Sequence, residues 1–206
     1  MLKIWGRLSS INVRKVVLAA QWLQVPFERV DAGASFGITR TPEYLARNPN
    51  ALVPTIEDEG FVLWESNVVV RYLCAKHAEG TLYPRDLRAR FDAERWMDWQ
   101  QTTFNGAGRE AFIQLVRTPQ DRRNDQAVAA SVAATEPLLA LLDGLLAQRP
   151  FIAGEQFTMA DIPLACEMHR WWGLPLEHPA HPHLQRWYDG IRVLPAARGV
   201  LDLPLS

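Results

Sequence analysis

The chain has two cysteines in 206 residues, no uninterrupted run of eighteen apolar residues and no surplus of either charge. Each shortage removes a class of protein. Without a longer apolar stretch there is no membrane span to expect. Two cysteines cannot staple a small secreted domain, and Cys74 and Cys166 show neither a Cys-x-x-Cys pattern nor a histidine at zinc spacing. Each falls in an apolar helical pattern and reads as a buried, reduced thiol. With 22 basic residues against 23 acidic ones there is no field to gather a polyanion, so no nucleic-acid partner is expected. Met1–Gly6 lacks the apolar core and small-residue cleavage site of a secretory signal, which points to the cytoplasm. Internal repeats and low-complexity segments are also lacking. What is present is 48% hydrophobic residues, enough for a substantial core in one or two domains.

The hydrophobic period changes along the chain. Leu2–Trp5 is short and β-prone and stops at Gly6, and Val13, Val16, Val17, Ala20 and Leu23 then recur at helical spacing. After Pro26, Phe27–Asp31 alternates as a strand does. Strand, helix and strand in this order favour parallel pairing through a right-handed crossover. A glycine-rich loop over 32–41 leads into a short helical segment from Thr41-Pro42. Val53–Glu57 and Phe61–Trp64 then read as an antiparallel hairpin closed by Asp58-Glu59-Gly60. Glu65–Lys76 is helical again, so residues 1–78 spell β-α-β-α-β-β-α. Residues 79–87 form a linker, and in 88–206 strand signals vanish. Leu87 to Phe104 fits a long amphipathic helix, and Val128 to Leu146 another, with Pro137 as a kink. In Phe157-Thr158-Met159-Ala160-Asp161-Ile162 a threonine can cap, an aspartate can reach back, and Phe157 can staple against Ile162. Leu184–Leu194 is a last short helix.

Three polar clusters sit where a strand gives way to a helix or where a strand opens. Ser9-Ser10-Ile11-Asn12 offers hydroxyls and an amide beside unpaired N–H groups and the positive end of a helix dipole. Ordinary capping explains the same residues. In Asn50-Ala51-Leu52-Val53-Pro54 a proline at a strand start is unexceptional, but a cis bond would present the Val53 backbone to an extended peptide. Trp64-Glu65-Ser66-Asn67 joins an acceptor for an ammonium to a helix N-terminus that suits a carboxylate, the pair an amino-acid head group requires. A cap with a first-turn acid is the plainer account. His178, His181 and His183 are interrupted by prolines, and no metal is assigned to them.

Taken together, these motifs resemble the soluble glutathione transferases over the whole chain. The carriers are Ser10-Ile11-Asn12, Leu52-Val53-Pro54-Thr55, Trp64-Glu65-Ser66 and Phe157-Thr158-Met159-Ala160-Asp161, in that order. Within the family the chain looks like the bacterial theta-like or nu-like branch, in which Ser or Thr replaces a tyrosine. The resemblance implies an α/β thioredoxin-like domain followed by an all-α domain, a homodimer, and glutathione as co-substrate. It further implies that Ser10 donates to the sulfur, assisted by Asn12, that Pro54 is cis, that Val53 pairs with the cysteinyl backbone, and that Glu65 and Ser66 hold the γ-glutamyl end. Many serine-type relatives carry a lysine where this chain has Leu52. Asn48, Asn50, Thr39 and Arg40 are the substitutes considered for the glycine carboxylate.

The implied reaction is attack of the glutathione thiolate on a hydrophobic electrophile. Its wall is drawn from Leu8, Phe36, Trp99, Gln100, Thr103, Phe104 and Arg109, and is apolar apart from Arg109. Arg14 is read either as a source of long-range positive potential or as a solvated helix residue. The rival readings are a glutathione-dependent disulfide or peroxide reductase and a noncatalytic binding protein of the same fold.

Overall fold

A computed structural model describes all residues, 1–206. The apolar run Leu2–Trp5 forms β1 and Phe27–Val30 forms β2, paired in parallel with Leu2 opposite Phe27. Between them lies α1 (Ile11–Trp22), which buries Val13, Val16, Val17 and Ala20 against the sheet. Its start lies so close to the end of β1 that a Cβ on Gly6 would come within 2.4 Å of Val13 Cγ2. Glycine is the residue that fits there.

The short α2 (Pro42–Leu45) is capped by Thr41, whose hydroxyl accepts from the Tyr44 N–H at 3.3 Å. Strands β3 (Thr55–Asp58) and β4 (Phe61–Trp64) form the antiparallel hairpin. The turn is tighter than the three residues expected: Asp58 stays in the ladder, and Glu59 and Gly60 turn the chain with φ of 54° and 86°. Two central residues at positive φ match the right-handed twist of a hairpin. The sheet order is β2-β1-β3-β4, and α3 (Ser66–His77) packs beside α1 on one face of it.

The rest of the chain is helical. Asp86 caps α4 (Leu87–Trp99) by accepting from the Ala89 N–H at 2.9 Å. The helix continues through a π turn (Gln100–Phe104), α5 (Asn105–Phe112) and a second π turn (Ile113–Arg117). Sequence pattern carried this segment only to Phe104, because Gly106 and Gly108 weaken the helical signal. Gly108 has a packing reason: a Cβ there would press on the Trp171 ring at 3.3 Å. The next helix, α6 (Asp125–Leu146), contains Pro137 and is long and apolar enough, by length and composition, to cross a membrane. Here it lays Val128, Ser131, Thr135, Leu139, Leu142 and Leu146 inward, packing on α5 and on α8 (Pro182–Arg192).

The Thr158–Asp161 motif forms, and Thr158 Oγ1 accepts from the Ala160 N–H at 3.3 Å. Helix α7 (Asp161–Trp172) begins at Asp161, and the Asp161 carboxylate accepts from the Thr158 N–H at 2.8 Å. It also accepts from the Ile152 N–H at 3.0 Å and Trp187 Nε1 at 2.9 Å, so one buried side chain joins three segments. Burial pushes its pKa up to about 6 against the pull of these donors, which leaves it ionised at neutral pH. Phe157, expected as a staple against Ile162, stacks on Trp22 with ring centroids 3.7 Å apart, tying the entry of α7 to the end of α1. Asp161→Ala leaves those donors buried and unpaired. We expect it to lower the unfolding free energy by about 3 kcal/mol in urea titration. A loss below about 1 kcal/mol would show that the three segments are held by something else.

Candidate functional site

A cavity of about 420 Å³ opens between the first strand-to-helix corner and the helical domain. Ser9, Ser10 and Asn12 line it from the corner, Thr39, Leu52 and Val53 from the loops before β3, and Arg109 and Phe112 from α5. Ser10 occupies the N-cap of α1 with extended backbone (φ −90°, ψ 122°), yet its side chain makes no capping hydrogen bond. Its carbonyl accepts from the Val13 and Arg14 N–H groups at 3.0 Å, which starts the helix without the hydroxyl. The Ser10 hydroxyl is therefore free at the cleft. Beside it, the Ile11 and Asn12 N–H groups belong to the first turn, where no helix carbonyl can meet them, and the helix dipole is positive.

The other two clusters lie at the same end of the sheet. The Val53-Pro54 bond is cis. Val53 lines the cleft, and neither its N–H nor its C=O is hydrogen-bonded within the chain. The preceding carbonyl, of Leu52, is fixed by Tyr44 Oη at 2.6 Å and Asn48 Nδ2 at 3.0 Å. Asn48 is thereby committed to the fold, since its Oδ1 accepts from the Asn50 N–H and Nδ2 as well. Of the four side chains considered for a glycine carboxylate, Thr39 lines the cleft, while Arg40 and Asn50 are exposed outside it. Glu65 is exposed and holds φ of 70° and ψ of 106° immediately before α3, a conformation that costs a non-glycine residue about 1–3 kcal/mol. Ser66, buried at the start of α3, donates to Asn12 Oδ1 at 3.2 Å and so couples the two strand-to-helix corners.

The electrophile wall differs from the expected one. Arg109 lines the cleft, but Gln100 and Phe104 are fully buried, and Leu8 and Trp99 pack against the core. Trp99 sits 5.4 Å from both the Trp96 and Phe104 rings, so the aromatic spacing on this helix serves interior packing. Phe36 and Thr103 are exposed and outside the cleft. Nor is the wall apolar. Arg7, Arg14, Arg117 and Arg170 join Arg109 in lining it, and no aspartate or glutamate does. Sequence pattern missed Arg117, Phe112 and Ile113, although with Arg109 they fall at i, i+3, i+4 and i+8 along one helical stripe. Arg14 is not a solvated helix residue: it is buried and donates to the carbonyls of Val200, Leu203 and Pro204. Cys166 also reaches the cleft, but burial pushes its thiol up to about 12, so it stays protonated.

The glutathione S-transferase N-terminal domain pattern matches residues 9–76, and the C-terminal domain pattern of the same family matches residues 125–190. The chain is 39% identical over 208 residues to glutathione S-transferase GstB of Escherichia coli, with both chains fully covered. The chain belongs to the glutathione S-transferase family. Glutathione S-transferase 3 of Zea mays is 32% identical over 214 residues, covering 99% of this chain and 95% of its own. Among solved structures, the theta class glutathione S-transferase of Xanthomonas axonopodis pv. citri, crystallised with glutathione bound, superposes with a TM-score of 0.96. Its identity is 43%, over 100% of this chain and 99% of that one.

In this glutathione S-transferase a serine stands at the N-cap without capping, which separates its two readings by experiment. A capping serine contributes about 1 kcal/mol to its helix. Because the Ser10 hydroxyl bonds no first-turn N–H, we expect Ser10→Ala to change the unfolding free energy by less than about 0.5 kcal/mol. A loss of about 1 kcal/mol or more in chemical denaturation would return Ser10 to a structural role.

Proposed function

We propose that the chain is a glutathione transferase in which the Ser10 corner steadies the glutathione thiolate for attack on an electrophilic carbon. The observation that carries this reading is the uncommitted Ser10 hydroxyl beside the first-turn N–H groups of α1, at the edge of a cleft shared by both domains.

The donor set fits the tripeptide. Val53 offers a free N–H and C=O to the cysteinyl backbone, as an added strand would use them. The backbone N–H of Ser66 and the N-terminus of α3 that it opens suit the γ-glutamyl carboxylate, and exposed Glu65 suits its ammonium group. With Oδ1 occupied by Ser66, Asn12 keeps its amide N–H groups for donation toward the sulfur.

An unperturbed thiol with a pKa of about 8.5 is only a few per cent ionised at neutral pH. Lowering that pKa by about two units requires roughly 2.7 kcal/mol in favour of the anion. A hydroxyl donor, two backbone N–H groups and a helix N-terminus at a partly desolvated corner supply interactions of that size. Ser10 donates and holds its own proton throughout, and the proton of the thiol goes to solvent. The carbon–sulfur bond then forms as the leaving group departs. Ser10→Ala is expected to raise the pKa of bound glutathione by one unit or more and to lower kcat/KM ten- to a hundredfold at neutral pH. The readouts are the thiolate's ultraviolet absorbance against pH and the pH profile of kcat/KM. An unchanged thiolate pKa overturns the assignment.

We read the working molecule as a homodimer. Phe61 on β4, Val68 on α3 and Leu87 and Phe91 on α4 expose large apolar surface, with relative exposures of 50%, 43%, 62% and 60%. These elements adjoin, joined by Arg71 pairing with Glu94 and Asp98 and by Phe61 against Tyr72. A patch of this kind marks an interface, and it draws on both domains. Phe91→Glu is expected to shift the mass seen by light scattering from dimer to monomer, and a monomeric wild type would remove the proposal.

A further inference from the structure

Three guanidinium groups line the cleft without an acid to match them. Arg7 follows β1, Arg109 is on α5 and Arg117 closes the second π turn. None of the three makes a salt bridge or a side-chain hydrogen bond within the chain, whereas the other two arginines of the cleft are compensated. Arg170 is paired with Glu167, and Arg14 is spent on backbone carbonyls. Burial, followed by repulsion from Arg7, Arg170 and Arg109, holds the Arg117 guanidinium below its ordinary value, which places these cations within electrostatic reach of one another. Gly33 makes room for the group: a Cβ there would lie 2.8 Å from Arg7 Nη1.

Unmatched like charges around a cavity are unfavourable until an anion enters it. Glutathione does not account for all of them. Its sulfur, γ-glutamyl carboxylate and ammonium group are assigned to the two corners of the first domain, and its glycine carboxylate, one anion, cannot match three guanidiniums, of which Arg109 and Arg117 stand on the helical-domain wall. That wall also carries an apolar seat. Phe112 and Ile113 line the cleft, and the Arg117 guanidinium lies 4.7 Å from the centroid of the Phe112 ring.

Resting on the transferase reading, the geometry points to an anionic second substrate: a small organic electrophile whose carbon body packs on Phe112 and Ile113 and whose carboxylate is held by Arg109 and Arg117. Two forked guanidiniums suit a carboxylate's planar geometry, and the same pair disfavours cationic compounds. For an aryl chloride, the thiolate sulfur bonds to the ring carbon. The carbon–chlorine bond breaks with its electron pair on chloride, and the thiol proton has already passed to solvent.

The test compares 4-chloro-3-nitrobenzoate with 4-chloro-3-nitrobenzamide, which differ in charge and hardly in shape, after correction for their uncatalysed rates. The wild type is expected to show a benzoate-to-benzamide ratio of kcat/KM of at least about ten. Arg117→Gln and Arg109→Gln are each expected to lower that ratio at least about tenfold, and added salt to lower it further. The variants' circular dichroism confirms folding, and calorimetry with glutathione reports the first substrate separately. A benzamide used as well as the benzoate, a benzoate that is not turned over, or variants that weaken glutathione binding as much as benzoate turnover would each overturn the inference. Turnover of the uncharged 1-chloro-2,4-dinitrobenzene would still uphold the transferase reading in those cases. Loss of that turnover and of glutathione binding in the wild type would instead remove the parent reading.

Discussion

An ammonium group with no exposed surface holds the two halves of this protein in register. Lys15, on the sheet-facing helix of the first domain, donates to Gln100 Oε1 at 2.8 Å and Gln101 Oε1 at 3.0 Å, both on the π turn of the second. Gln100 passes the link on through Nε2 to Glu167 on α7 at 2.6 Å, and Glu167 pairs with Arg170. Asn67 on α3 joins by donating to the Met97 carbonyl at 2.7 Å. Burial pulls the Lys15 pKa down to about 8 while Glu167 opposes the shift. Such a network adds little net stability compared with a well-packed apolar core, but any arrangement that strands one of its members is strongly disfavoured. It therefore acts on alignment, admitting one docking of helical domain on sheet domain.

The next residue back on the same helix completes the arrangement. Arg14 gathers the C-terminal tail by its carbonyls and lies 3.0 Å from His169 Nε2. Burial and the nearby Arg14 hold His169 near a pKa of about 4, so it is neutral; its Nε2 lies 2.9 Å from the Leu203 carbonyl and its Nδ1 3.2 Å from Tyr188 Oη. Leu205, carried by that tail, lines the cleft. Two adjacent buried cations thus dock the second domain and the tail onto α1, whose N-terminus provides the Ser10 corner. The position of the helical wall relative to the free hydroxyl follows from where those charges find their acceptors.

Much of the first domain is legible in the sequence because its signals are local. The period change at Gly6, the break at Pro26 and the turn at Glu59-Gly60 each follow from backbone preferences of one or two residues. The four motifs were legible for the same reason. Residues whose meaning depends on partners far along the chain were not. Arg14 reads as a candidate solvated helix residue and Gln100 as a pocket residue, and nothing local marks Lys15, until the second domain is placed against the first, when all three become interior. Trp99 and Phe104 failed as pocket residues because aromatic spacing on a helix reports an apolar face without saying whether that face meets a cavity or another side chain. Ser10 was ambiguous for a different reason: a residue type that prefers N-caps gives no sign that it will occupy one without capping.

The charge of the cleft shows how a sum over a chain can mislead about a site. A net charge of −1 argues against a broad positive field. It is silent on sorting. Many of the acids pair away from the cleft, as Asp92 does with Arg95 and Glu94 with Arg71, or are buried, as Asp58 is against Lys76 and Asp161 is as a connector. The cleft keeps cations and no carboxylates. In a partly desolvated space, where charge is screened less than on the surface, these cations act on any anion that enters. They would favour an ionised sulfur as well as a charged second substrate. One unmatched cluster can thus assist in making the nucleophile and in choosing what it attacks, at the cost of mutual repulsion whenever the cleft holds neither.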